Sequence, residues 1–439
     1  MKRTKRILLG LACVALLAAS WAAAVTAKSD ADRQRELIDE AALYMNDEIY
    51  ILAVPLLEEA ANYQDDYTLE AETALKEAYL CLAGKGDFEH RYTNLLDKQM
   101  ARKGAAPEIF RESAEYYLGH GKTADALAAL RDGIAKTGDE GLVRLYEDNR
   151  YVYNLGRDFY ENAGMIHNGT VQVAKNGCWG LADTTGLQII PCEYDKISTF
   201  DKDRAVVQKN GVISAVDRDN NRVALFHGEV EDFGNYAEER LGVKMADGWH
   251  LATGTFALGS TAFEALGMFS NGYAPAKLNG KWGLIATDGG TWLLEPEYGE
   301  ILQNETGFGY AQNAVFVRQG DGVFLLVDGQ EISGPYEDAQ PFGDGWAAVK
   351  KNGKWGFIDT EGNEMIGFQF EDAMSFGGHL AAVKQNGLWG YVSLKGELVV
   401  EPQFLDAKSF YEGSAPVRTG LGWQFITLLE YEREGGGLF

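Results

Sequence analysis

The residue types that do chemistry are scattered along this chain. Its six histidines, His90, His120, His167, His227, His250 and His379, share no metal-ligand spacing with one another. No Gly-x-Ser-x-Gly step, Cys/His pairing or phosphate-cradling loop is spelled out. Asp217-Arg218-Asp219-Asn220-Asn221 opens like a calcium loop. Arg222, however, stands where the turn glycine belongs and Gly228 where the closing Glu belongs, so the stretch reads as a polar hairpin turn. Carboxylates cluster as Asp201 with Asp203 and as Glu229 with Glu231 and Asp232. Glycoside hydrolysis needs two carboxylates facing each other across a cleft, which spacing cannot establish, and a solvated acidic face is the plainer reading. Cys178 and Cys192 are a candidate disulfide, with small apolar packing residues as the alternative. Cys81, inside Tyr79-Leu80-Cys81-Leu82, reads as packing alone. The expectation is a non-enzymatic protein with no catalytic residues, no metal and no cofactor.

The ends of the chain say where such chemistry would take place. Lys2, Arg3, Lys5 and Arg6 precede an apolar run from Ile7 to Val25 that closes on Val25-Thr26-Ala27. A basic start, an apolar stretch and small residues at −3 and −1 mark residues 1–27 as a signal peptide cleaved after Ala27, or as a retained signal anchor. Either way the rest lies outside the cytoplasm, secreted or anchored to the cell envelope, touching membrane only through an uncleaved N-terminal segment. A formal net charge of −25 repels phosphate backbones and excludes nucleic acid as a partner.

A chain of 439 residues with 52 Gly and 9 Pro holds more than one core and many tight turns. Residues 31–150 lack Trp and place apolar side chains at helical spacing, first Ala41, Ala42, Met45 and Ile49, then Leu52, Leu56, Leu57 and Ala60. Gly121-Lys122-Thr123-Ala124-Asp125-Ala126-Leu127 follows one amphipathic stretch, and Gly86-Asp87-Phe88 follows another about 35 residues earlier. This helix–turn–helix recurrence loosely resembles tetratricopeptide repeats, which implies stacked helix pairs. Such a segment serves either as a peptide-binding groove or as a helical cap on the C-terminal two-thirds of the chain.

From about residue 165 to 430 the composition changes, and Trp and Gly concentrate there. Asn352-Gly353-Lys354-Trp355-Gly356-Phe357 and Asn386-Gly387-Leu388-Trp389-Gly390-Tyr391 put their Trp residues 34 positions apart, and Trp423 lies another 34 further on. Trp282-Gly283 and Trp179-Gly180 are further intact copies; Trp249 lacks the Gly, and Ile213 and Val323 replace the Trp. The count is eight units, with residues 431–439 as a tail. Within a unit a short strand enters an Asn-Gly turn suited to a type I′ hairpin. The Trp-Gly strand returns, and a third stretch such as Leu398-Val399-Val400-Glu401-Pro402-Gln403-Phe404 comes next, its Pro marking an edge strand. A Phe closes most units: Phe200, Phe269, Phe342, Phe376 and Phe410. The Gly after each Trp reads as room for a close neighbour and the Trp as buried area.

Lys354-Trp355-Gly356-Phe357-Ile358-Asp359 and Lys281-Trp282-Gly283-Leu284-Ile285 resemble the bacterial WG (KWG) repeat. The resemblance implies a β-repeat binding module without implying chemistry. The expected fold class is α+β multidomain: a short α-helical repeat segment, then an all-β array that is either a propeller-like ring or an open β-solenoid. Tyr194, Tyr273, Tyr298, Tyr336, Phe404 and Tyr411 recur near unit ends. They are candidate ligand-facing aromatics, with packing between units as the alternative. The functional expectation is a binding or scaffolding protein for protein or cell-envelope glycan. Its alternatives are an envelope enzyme using the array as a platform, and a scaffold whose helical segment docks a partner. A ligand site is expected where the repeat breaks, around residues 213–250 and 302–345.

Overall fold

The computed structural model describes residues 30–63 and 66–431. The proposed leader and almost all of the tail lie outside the described residues. The chain divides into two compact units, with the change at Asp148–Asn149.

The first unit is helical. Among the described residues, seven helices occupy residues 30–46, Tyr50–Asn62, Thr68–Cys81, Phe88–Met100, Pro107–Gly119, Thr123–Thr137 and Glu140–Asn149. The second of these buries Ala53, Val54, Leu57 and Ala60. Leu52, expected on the buried stripe, is exposed because the inward face is rotated by one position, and Ile49 is exposed in the turn that precedes the second helix. Cys81 is also exposed, contrary to the packing role read for it. Gly133 marks a close helix approach: a Cβ there would stand 2.7 Å from both Phe110 and Leu142.

The second unit is built from eight antiparallel sheets that succeed one another along the chain. Each sheet, or blade, is built on a four-stranded meander, and each holds one of the eight Trp-equivalent positions. Blade 7 shows the pattern. A two-residue strand Asp372–Ala373 leads to Leu380–Gln385, which turns into Leu388–Ser393 and then into Leu398–Phe404. The inner strands are buried along almost their whole length, while the last alternates inward and outward. The Asn-Gly turns adopt the positive φ expected of them, as at Asn386 (53°) and Gly387 (80°). Neighbouring blades are wedged together by the closing Phe residues. Phe376 meets Phe357 of the preceding blade at 4.8 Å, and Phe410 meets Tyr391 at 4.7 Å.

The array closes on itself. The eighth blade has only Asp406–Ala407, Ser414–Thr419 and Gly422–Leu428 from its own stretch of chain. Its outer strand is Tyr153–Leu155, upstream of the span read as the array, paired with Leu428, Thr427 and Ile426. Tyr160 then bridges Trp423, as Phe404 faces Trp389 in blade 7. The unit is therefore an eight-bladed ring, and the open solenoid is set aside.

Candidate functional site

The repeat residues are consumed by the fold. Trp355, Trp389 and Trp423 are buried, and Trp179, Trp249 and Trp282 partly so. Each pairs with an aromatic on the last strand of its blade, as in Trp179 with Tyr194, Trp282 with Tyr298, and Trp389 with Phe404. The glycine beside the Trp lets that strand pass. A Cβ on Gly180, Gly283 or Gly390 would lie 2.4 Å from the carbonyl oxygen of Ile190, Leu294 or Val400. Ile213 and Val323 occupy the same position as smaller buried side chains.

The candidate ligand-facing aromatics are thereby corrected. Tyr194, Tyr336 and Phe404 are buried, and Tyr298 lies partly buried beside Trp282. Tyr273 packs edge-on to Tyr310 at 5.6 Å, and Tyr411 packs against the cluster around Trp423. Apart from Tyr411, which also lines a cavity with Asp344, His379 and Glu412, these rings fill the seams between strands and blades. Cys178 and Cys192 are free thiols, and Gln188 donates to the Cys192 sulfur at 3.0 Å.

The carboxylates are mostly structural. The acidic residue before a blade's first strand accepts the N–H groups of the Asn-Gly turn. Glu161 holds Asn176 and Gly177, and Glu371 holds Asn386 and Gly387. Asp217 closes its own turn on the N–H groups of Asp219 and Asn221, the hairpin expected from its sequence. Asp203 pairs with Arg204, Glu231 with Lys244 and Asp232 with Lys196.

The middle of the ring is crossed by residues 302–309 of blade 5, the insertion that stretches one Trp-equivalent spacing to 41 positions. Asn304 folds the loop by accepting the N–H groups of Thr306 and Phe308. Thr306 O receives Asn235 of blade 3, Gly307 O receives the Met268 N–H of blade 4, and Glu305 pairs with Lys408 of blade 8. Only a segment lying across the hub reaches all three blades.

A second break in the repeat opens a cleft between blades 3 and 4. Its cavity measures about 350 Å³. In blades 1, 4, 6 and 7 the last strand sends an apolar side chain inward at one position: Ile190, Leu294, Ile366 or Val400. In blade 3 the corresponding stretch Leu258-Gly259-Ser260 is exposed throughout and sends no apolar side chain inward. In later seams the turn glycine of the next blade rests on that side chain, as Gly329 does on Leu294 and Gly396 on Ile366. Gly289 of blade 4 instead reaches down to Leu251, where a Cβ would meet Cδ2 at 3.1 Å. Leu251, Phe263, Ser260 and Thr261 line the space.

Two charged groups flank it. Arg240 donates from Nε to Thr287 O at 3.0 Å and from Nη1 to Glu239 O at 3.0 Å. Asp288 closes the neighbouring turn. The Thr291 hydroxyl and the N–H groups of Gly290 and Thr291 hold its carboxyl down at about 2. Behind the cleft, His250 lies 3.0 Å from Gly259 O through Nδ1 and 2.9 Å from Asp247 through Nε2. Burial pushes its imidazole down, but these two acceptors outweigh burial and leave its pKa raised. Neither Gly259 nor Arg240 stood out in the sequence, although the break around residues 213–250 is the signal that leads to them.

These features define the class: a closed β-propeller of eight blades. The family described as WG containing repeat matches residues 179–212, 262–282, 332–355, 355–389 and 389–420, so the C-terminal region carries repeats of that family. No curated protein matches the chain. Among solved structures, the Neurospora crassa Pan2 WD40 domain is similar at 8% identity and a TM-score of 0.34, covering 62% of this chain and 90% of that one. A eukaryotic initiation factor is similar at 10% identity and a TM-score of 0.37, covering 57% and 78%. YCF48 bound to a D1 peptide is similar at 12% identity and a TM-score of 0.31, covering 53% and 92%.

Proposed function

We propose that this is a non-enzymatic extracytoplasmic binding and scaffolding protein that holds protein or glycan at the cell envelope on its propeller. One observation carries the reading. The repeated side chains are spent on packing a rigid ring, whereas the departures from the repeat fall in blades 2, 3 and 5, and a cleft opens at the surface between blades 3 and 4. A rigid frame with one individual sector is the arrangement by which repeat folds present a site. The basic start and small-residue end of residues 1–27 support export, and the tetratricopeptide-like spacing of residues 31–150 supports a docking role for the helical unit.

The test uses protein recovered from its native envelope or medium. Its N-terminal sequence is expected to begin at Lys28, and the purified chain is expected to retain members of a glycan or peptide array. Clean negatives on both arrays, with a partner captured by the helical unit alone, would replace this reading with that of a scaffold working through its helices.

A further inference from the structure

We propose that the cleft between blades 3 and 4 binds a carboxylate carried on a short aliphatic body. The carboxylate sits on Arg240, and the aliphatic group fills the space that Gly259 leaves empty. The inference rests on the binding-module reading and names the ligand chemistry of its individual sector.

The ring supplies its own control. Arg204 holds in blade 2 the place that Arg240 holds in blade 3. Both close the same tight turn, Asp201 with Arg204 and Ala237 with Arg240. Both reach the next blade's turn, Arg204 through Gly254 O and Arg240 through Thr287 O. Arg204 is neutralised by Asp203, which it grips through Nε and Nη2 at 2.8 Å each. The matching acid in blade 3 is Glu239, and its carboxylate is taken by Lys202. Arg240 therefore touches Glu239 only through the main-chain carbonyl. Among the described residues it has no carboxylate partner, and three of its five N–H donors remain for a ligand. In a chain of net charge −25, an arginine left without an acid beside a cavity is a specific feature.

The cavity fits the rest of the ligand. Leu251 and Phe263 give it an apolar floor, and at Gly259 no side chain of the last strand enters the space. The hydroxyls of Ser260 and Thr261 provide polar contacts at the rim. At about 350 Å³ the space suits a small ligand or one terminal residue of a chain. Two sources share this chemistry: a free aliphatic acid, and the C-terminal Leu, Ile or Val of a peptide. Asp288 lines the same cleft without an ion pair to Arg240; its charge opposes any anion there, so the free donors of Arg240 must outweigh it and a second negative charge is disfavoured.

The experiment titrates the full chain with 4-methylpentanoate, with the peptide Ala-Ser-Ala-Leu bearing a free carboxylate, and with the same peptide amidated, by calorimetry and saturation-transfer NMR. Binding of the free acid alone identifies a small-molecule site. Binding of the free peptide, weakened tenfold or more on amidation, identifies C-terminal capture. Gly259→Ile places an aliphatic side chain in the cleft. Gly259 has no positive φ, and a Cβ there meets Leu251 O at 3.4 Å, so this variant is expected to keep its melting temperature and lose binding at least tenfold. Arg240→Gln is expected to lose binding to a similar extent. The proposal is overturned if neither carboxylate probe binds, if amidation makes no difference to a bound peptide, or if Gly259→Ile folds and binds as before. Failure of these probes with retained binding on the glycan array would overturn this ligand chemistry and leave the binding-module reading standing.

Discussion

Trp389 faces Phe404 across a strand pair, and Gly390 lets the backbone at Val400 come within contact. The two residues are one device, a large buried ring beside a strand that must pass close. Trp389→Ala is expected to cost about 3–5 kcal/mol, the range for removing a large buried aromatic. Gly390→Ala is expected to cost about 1–3 kcal/mol through overpacking. Both are read as midpoint shifts in chemical unfolding, and a shift near zero for Trp389→Ala would remove the packing role. His250 makes a different prediction. Its two acceptors, Asp247 and Gly259 O, are both satisfied only by the imidazolium, so its folded pKa is raised. The stability it contributes is present in full below the unfolded value of about 6.5 and is lost as pH rises through the higher folded value. Thermal melts between pH 5 and 8 are expected to show the wild type losing stability in that window relative to His250→Gln. Parallel curves for the two would refute the linkage.

At the scale of elements, the decisive strand is Tyr153–Leu155. It gives the eighth blade its outer edge, and Tyr160 gives Trp423 its aromatic partner while donating its hydroxyl to Gly186 O of the first blade at 2.7 Å. Replacing residues 153–160 with a Gly/Ser linker of equal length is expected to leave strand Gly422–Leu428 as an open edge. Size-exclusion chromatography should then show self-association, and the melt should broaden and fall. A monomer with an unchanged melt would mean that closure does not depend on this strand. The Asn-Gly hairpins, the Trp-Gly strands and the unit count were legible because each is a local pattern with a local cause. The closing strand was not, since its pairing joins residues more than 250 positions apart and only the missing third strand after Trp423 hints at it.

At the scale of the whole chain, two cores coexist. One is formed by residues such as Leu57, Leu75 and Leu96 of the helical unit, and the other by the seams between blades. A fragment from Asn149 to Leu438 contains every strand of the ring, including the closing one. It is expected to fold alone, with a β circular-dichroism spectrum and a cooperative melt, whereas a fragment starting at residue 165 is expected not to. Equal behaviour of the two fragments would contradict closure by the N-terminal strand.

By itself the sequence determined the division into a helical segment and a β array, the eight units, the turn chemistry and the packing role of the Trp-Gly step. These come from periodicity and composition, which act over a few neighbouring residues. Tertiary structure alone decided three other things. It closed the array into a ring, because strand pairing over long sequence separation depends on where the chain ends meet. It packed most of the Tyr and Phe residues read as ligand-facing into seams, with Tyr194, Tyr298 and Phe404 against the tryptophans of their own blades. It also turned one unremarked glycine and one arginine into a cleft, because a last strand that sends no apolar side chain inward has meaning only beside the blades whose last strands do.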